Sequence, residues 1–160
     1  FGVIEGKGAN NVIPETVYLE GTFRTFDEHW RANALEKIQN MAHGLTQSMG
    51  GSCDVTIHQG YPALYNDEPL TERTKGYAVD YLGENHVKDL DLRPTAEDFA
   101  YYSQHMPACF YRLGVANAEK GVNNALHTAN FDIDEDSLKT GVGLMAYIAL
   151  REMAEQAADN

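Results

Sequence analysis

The chain has 160 residues, 43% of them apolar, enough to bury a core as one domain or two small ones and against the composition of a disordered segment. A formal charge of -12 without any cluster of Lys or Arg argues against a nucleic-acid partner, because phosphate contacts need grouped cations. No apolar run approaches the ~20 residues that span a bilayer, and Cys53 and Cys109 lack a C-x-x-C spacing, so neither a membrane segment, a disulfide framework nor a zinc ribbon is indicated and a reducing, cytoplasmic setting is expected.

Phe1 opens the chain without a charged or signal-like leader, and the absence of an initiating Met leads to the expectation of further residues upstream. Phe1 to Ile4 reads as a short strand running into the Gly-rich loop Gly6-Lys7-Gly8-Ala9-Asn10-Asn11. From Thr16 the pattern alternates, with Val17, Leu19, Gly21 and Phe23 on one face and Tyr18, Glu20, Thr22 and Arg24 on the other, which predicts a second strand with Arg24 turned from the core. Thr25-Phe26-Asp27-Glu28 matches a capping box, and Trp30, Ala34, Ile38, Met41, Leu45 and Met49 follow at helical spacing up to the glycine stop Gly50-Gly51. Cys53, Val55 and Ile57 alternate with Asp54, Thr56 and His58, predicting a third strand. The resulting ββαβ order is most of a ferredoxin-like sandwich, with a strand and a helix wanting ahead of Phe1.

A boundary is expected near Asp67, giving residues 1–67 and 68–160 as two units of an α/β (α+β) chain. Beyond it, a helix from about Thr71 carries Tyr77, Ala78, Tyr81 and Leu82 and stops at Gly83. Thr95-Ala96-Glu97-Asp98 reads as the cap of a short helix reaching about His105, and Cys109 to Leu113 as a strand. After the loop Gly114 to Leu126, Asp134 is expected to cap a long helix that is apolar on most sides and therefore buried.

His127 ends that polar loop, a few residues before Asp132-Ile133-Asp134. A neutral imidazole on a stiff loop end is a common metal ligand, while a histidine without partners at metal spacing is more often structural. The stretch Asn124-Ala125-Leu126-His127-Thr128-Ala129-Asn130-Phe131-Asp132-Ile133-Asp134-Glu135, with Leu138 and Gly141-Val142 after it, resembles the closing motif of the hippurate hydrolase and N-acyl-amino-acid amidohydrolase family, which also includes aminoacylases and related carboxypeptidases. Gly6 to Pro14 together with Gly21-Thr22-Phe23-Arg24-Thr25 resembles the strand pair of that family's lid and dimerisation domain, and Ala96-Glu97-Asp98-Phe99 its second catalytic-domain motif.

The resemblance implies a partial ferredoxin-like lid over residues 1–67 and the C-terminal half of an α/β, zinc-peptidase-like catalytic domain over 68–160. It further implies a two-ion centre, of zinc or alternatively manganese, nickel or cobalt, with His127 as one ligand, and a homodimer formed through the lid. Asn11 and Arg24 would hold the carboxylate of an N-acyl amino acid or dipeptide, a task for which a bidentate guanidinium and a neutral amide are chemically suited. Without the resemblance, Arg24 is a solvated strand residue and Asn11 a turn residue. Glu97 would lie near the metal site, although Glu97 and Asp98 are equally explained as acidic residues complementing a helix N-terminus. His29, His43, His58, His86 and His105 read as structural.

A two-metal hydrolase also needs a bridging carboxylate, further ligands and a general base. The resemblance places these in an N-terminal catalytic half, as a His-x-Asp or Cys-x-His segment, a Glu-Glu pair and another His, and none of these patterns occurs in the chain. No catalytic residue is therefore assigned within it. The expectation is the C-terminal portion of an amidohydrolase that uses a metal-activated water and is inactive alone; the alternative is a non-catalytic α/β dimerisation or binding module of the same descent.

Overall fold

In the computed structural model, which describes residues 1–158, Val3–Glu5 (β1) pairs antiparallel with Tyr18–Glu20 (β2) in the register Val3↔Glu20, Ile4↔Leu19 and Glu5↔Tyr18. The pair belongs to a first unit of Phe1–Ala63 and Arg93–Asp98. A second unit comprises Leu64–Leu92 and the chain from Phe99 onward. The class is α+β, with two strands and four α-helices among the described residues. No described helix is long and apolar enough to cross a membrane.

In the first unit, Glu28–Ser48 forms α1. Its cap is Asp27 and not Thr25: the Asp27 carboxylate accepts from the Trp30 amide at 2.8 Å, while Thr25 Oγ1 accepts from the Asp27 amide at 3.2 Å. Glu28 bonds Arg31 and also accepts from the Ala63 amide at 2.8 Å, tying the end of the segment back to the helix start. At the other end the Gly50 amide donates to Gln47 O at 3.0 Å and the Gly51 amide to Thr46 O at 2.9 Å. That double closure needs a left-handed residue, and Gly50 supplies it at φ 81.

The expected strand at Cys53–Ile57 does not form. Cys53 and Val55 are half-buried and Asp54 and Thr56 exposed, so the alternation survives as far as Thr56 and ends at the exposed Ile57, but no neighbouring strand among the described residues completes a ladder. Periodicity of two reports which side chains are covered; pairing depends on a partner elsewhere in the chain. None of the described residues in this unit is fully buried. The apolar stripe of α1 stays open, with Met41 72% and Met49 81% exposed, apart from Trp30 stacking on Phe23 at 5.8 Å.

In the second unit, Glu68–Leu82 forms α2, starting three residues before the expected Thr71, because Asp67 caps it through the Leu70 amide (3.0 Å) and Pro69 is tolerated in the first turn. Gly83, at φ 88, ends it as expected. Ala100–Ser103 is a single turn, α3, with no side-chain cap, so Thr95 does not cap it. Asp136–Ala158 forms α4. The buried core of this unit consists of Thr74, Tyr77, Ala100, Ala108 and Leu144.

Helices α2 and α4 are joined by polar and aromatic contacts. Arg73 donates to both Glu152 oxygens at 2.9 and 3.1 Å, the Tyr77 hydroxyl donates to Glu155, and the Tyr81 and Tyr147 rings lie 5.4 Å apart. The Arg151 guanidinium sits 5.0 Å from the Tyr77 ring centre and 5.7 Å from that of Tyr147. Gly143 is required here: a Cβ would collide with the Tyr81 hydroxyl. The expectation of a buried α4 fails except at Leu144, because α2 covers one stripe of a helix whose apolar residues surround it. Val142 remains 73% exposed.

Cys109–Leu113 also forms no ladder, yet its backbone is not idle. The Asn66 carboxamide donates to Phe110 O at 2.9 Å and accepts from the Phe110 amide at 2.8 Å, and the Asp67 amide donates to Ala108 O at 2.9 Å. One side chain thus takes the place of a strand neighbour for a half-buried peptide unit. Asn66→Ala leaves both Phe110 groups unpaired and should destabilise the protein by about 1–3 kcal/mol. Asp27→Ala, an ordinary cap loss, should cost ~1 kcal/mol. Urea unfolding of the two variants checks the order; an Asn66→Ala midpoint no lower than that of Asp27→Ala would refute it.

Candidate functional site

The segment from Val115 to Asp134 is a long excursion whose two ends meet, the Asp134 amide donating to Val115 O at 2.8 Å. Its first part is a tight turn in which Asn117 and Val122 exchange backbone hydrogen bonds of 2.6 and 2.8 Å, with Gly121 at φ 74. The Asn117 carboxamide serves both sides of the turn. Its oxygen accepts from the Glu119 and Lys120 amides at 3.1 and 3.3 Å, and its nitrogen donates to Asp134 Oδ2 at 2.6 Å.

Lys120 completes the closure. Its ammonium donates to Asp134 Oδ1 at 2.7 Å and to Asp136 Oδ2 at 2.5 Å, the second of these on the first turn of α4. Asp134, expected to cap the helix, accepts instead from the amide of its first residue, Asp136, at 3.3 Å, while the same carboxylate holds the turn. The hydrogen bond from Lys120, then that from Asn117, keeps the Asp134 carboxyl below its ordinary value. Its contribution is therefore present above the ordinary carboxylate range and fades only as pH falls through the depressed value. The two carboxylates in turn raise the Lys120 ammonium above its usual value.

His127 lies seven residues after Lys120 and seven before Asp134. Its backbone is left-handed, at φ 63, the only such non-glycine residue among those described. Short local bonds hold the bend: the Thr128 hydroxyl donates to Ala125 O at 2.8 Å and the Phe131 amide to Thr128 O at 3.1 Å. The side chain is exposed, and neither ring nitrogen has a hydrogen-bond partner among the described residues.

As a donor, this imidazole fits a divalent ion. It is a borderline-soft nitrogen ligand, reachable from outside and not committed to another group. It is also a single ligand: among the described residues no group of three or more His, Cys, Asp or Glu side chains could hold a metal.

The other three candidates belong to the first unit. Asn11 lies in the exposed turn that the Val12 amide closes onto Ala9 O at 3.1 Å. Arg24 stands four residues past β2, in a segment without ladder bonds, and its Nη1 donates to Pro94 O at 3.0 Å. One of its five donors is thus used. Glu97 is half-buried, in irregular chain ahead of α3, and Asp98 is exposed. No hydrogen bond links Asn11, Arg24 and Glu97 to one another among the described residues.

Two arrangements had no signal in the sequence. Lys120 carries no motif, and only the folded turn brings it to Asp134. His43, read as structural, has Nδ1 3.6 Å from Cys53 Sγ, with Thr46 Oγ1 3.4 Å from the same sulfur. The sulfur lies next to the last turns of α1 because the Gly50-Gly51 closure reverses the chain there.

A family profile described as peptidase family M20/M25/M40 matches residues 3–151. Among curated proteins, the chain is 32% identical over 156 residues to an IAA-amino acid hydrolase of Arabidopsis thaliana, covering 95% of this chain and 34% of that protein. It is 31% identical over 144 residues to the N-acetyldiaminopimelate deacetylase of Bacillus subtilis, covering 90% of this chain and 37% of that enzyme. With the N-acetyl-L-cysteine deacetylase of the same organism it shares 32% identity over 139 residues, 86% of this chain and 31% of that enzyme. The chain spans about a third of the length of the curated relatives it matches. No solved structure matches it significantly.

Proposed function

The chain belongs to peptidase family M20/M25/M40, and from that premise we propose that it is the C-terminal part of a metal-dependent amidohydrolase cleaving the amide of an N-acyl amino acid or small peptide. The observation that carries this reading is His127, an exposed imidazole without hydrogen-bond partners among the described residues, on a left-handed bend. Backbone held in a sparsely populated region by its surroundings is a recurrent feature of ligand-holding positions. The relatives support the chemistry: two are deacetylases of N-acetyl compounds and one is an IAA-amino acid hydrolase.

In this reading His127 holds one of two divalent ions, zinc or alternatively manganese, nickel or cobalt. When bound, such a centre polarises the scissile carbonyl and makes water acidic enough to act as a nucleophile at neutral pH. The remaining ligands and the proton-carrying Glu come from polypeptide outside these residues, and the 160 residues alone are inactive. Residues 1–67 act as a ferredoxin-like lid that also forms a homodimer, and residues 68–160 as part of the catalytic domain. The exposed apolar stripe of α1 supports a pairing role for the lid.

Arg24 and Asn11 orient the substrate through its carboxylate, the guanidinium supplying charge and paired donors and the amide a neutral one. Glu97 offers an acceptor to the substrate's N–H groups. A cytoplasmic site of action agrees with two unpaired thiols.

The test uses the full polypeptide carrying these residues. Dialysis against a strong chelator should abolish hydrolysis of an N-acetyl amino acid, and re-addition of a divalent ion should restore it with uptake of about two ions per chain, as expected for a two-metal site. Hydrolysis that survives metal removal, or a metal-loaded protein inert towards a panel of N-acyl amino acids and dipeptides, would reject the reading.

A further inference from the structure

We propose that Lys120, with Asn117, is a positioning residue for His127: by clamping Asp134 and Asp136 it closes the base of the loop and fixes the imidazole at its tip. The inference rests on the reading of His127 as a metal ligand and goes beyond it, to the part of this chain that keeps the ligand in place.

The geometry requires some such device. A metal ligand must be held within about half an ångström of its working position for the ion to bind well, and His127 lies near the middle of a segment without regular structure. Loops longer than about 12–15 residues are uncommon in compact domains unless they are functional, and closing one carries an entropic cost. Here the base is closed four times. The Asp134 amide bonds Val115, Asn117 bonds Asp134, and Lys120 bonds both Asp134 and Asp136.

These contacts differ from an incidental surface ion pair, which is commonly worth about 0–1 kcal/mol. Lys120 is half exposed, but the Asp134 side chain is only 13% exposed and accepts from Lys120, Asn117 and the α4 backbone together. Asp134 also accepts from the amide of Asp136, the first residue of α4, so the clamp registers the loop against the start of that helix. The tip has its own bonds at Thr128 and Phe131, which shape the bend at His127 but do not attach it to the rest of the unit. Among the described residues, the hydrogen bonds that attach the loop lie at its base.

The clamp therefore acts on metal affinity. Groups that orient a ligand without touching the ion commonly account for about 10–100-fold in affinity. In the metal-loaded full-length protein, Lys120→Gln should weaken Zn(II) binding, measured by competition with a chromophoric chelator, about tenfold. In the metal-free protein it should speed amide hydrogen exchange over residues 124–130. Lys120→Arg, which keeps the charge and the reach, should restore most of the affinity, and Lys139→Gln, an exposed charge outside the clamp, should change neither readout.

Should Lys120→Gln fail to fold, Asn117→Ala removes the other arm of the clamp and is read in the same way. A variant that lowers thermal stability while leaving Zn(II) affinity and exchange at 124–130 unchanged would overturn the proposal, since the clamp would then be structural only. The two readings fail separately. If His127→Ala weakens Zn(II) binding and neither clamp variant does, the clamp alone is wrong; if His127→Ala has no effect, the ligand reading falls and the clamp's role falls with it.

Discussion

Replacing His127 by alanine should remove or severely weaken one ion of the metal-loaded full-length protein and lower kcat/KM by more than the roughly 10–100-fold that a lost outer partner costs. The reason is direct: an ion that loses a protein ligand loses both affinity and a fixed orientation, and water can replace the donor atom but not its position. His127→Gly sharpens the test. At φ 63 an alanine keeps its Cβ in a left-handed conformation that glycine adopts freely, so the glycine variant should be the more stable of the two without metal. Both variants should lose the ion equally. Metal stoichiometry by elemental analysis and thermal unfolding of the metal-free forms separate the effects; unchanged stoichiometry and activity in both variants would reject His127 as a ligand.

The left-handed bend at His127 and the clamp beneath it mark where sequence reading stops. Elements whose signals are local could be read from the chain. The stops of α1 and α2 follow from Gly50 and Gly83, which act within one turn. Strands were not readable in the same way. Cys53–Thr56 shows the alternation of a half-buried strand and Cys109–Tyr111 is a continuous half-buried run, but a ladder is a property of two segments, and at Phe110 the partner is the side chain of Asn66.

The same distinction separates His127 from Lys120. A histidine ahead of a helix cap can be singled out from its motif, whereas a lysine that bridges two aspartates 14 and 16 residues away has no local signature. The exposure of α4 has a related cause. Apolar composition tells how much surface a helix could bury, and only the neighbouring elements decide how much it does; Leu144 is buried, and Val142, Met145 and Met153 stay open.

Arg24→Ala should cost the full-length enzyme about 1.5–3 kcal/mol in kcat/KM towards N-acyl amino acids, or roughly ten- to 150-fold, the usual worth of a hydrogen bond to a charged group. Most of the loss should appear in KM, because the carboxylate is bound equally in the ground and transition states and takes no part in the bond changes. The bond from Nη1 to Pro94 O favours this role, since a guanidinium already fixed by one donor surrenders less freedom when its other donors engage a substrate. Lys at this position should recover only part of the loss, being a point charge without the planar fork. The decisive comparison is a double-mutant cycle in which the substrate's carboxylate is replaced by a carboxamide. The wild-type enzyme should lose affinity for the carboxamide, and Arg24→Ala should make no further difference to it. Equal losses on both substrates would mean that Arg24 supports the fold around Pro94 and does not touch the carboxylate.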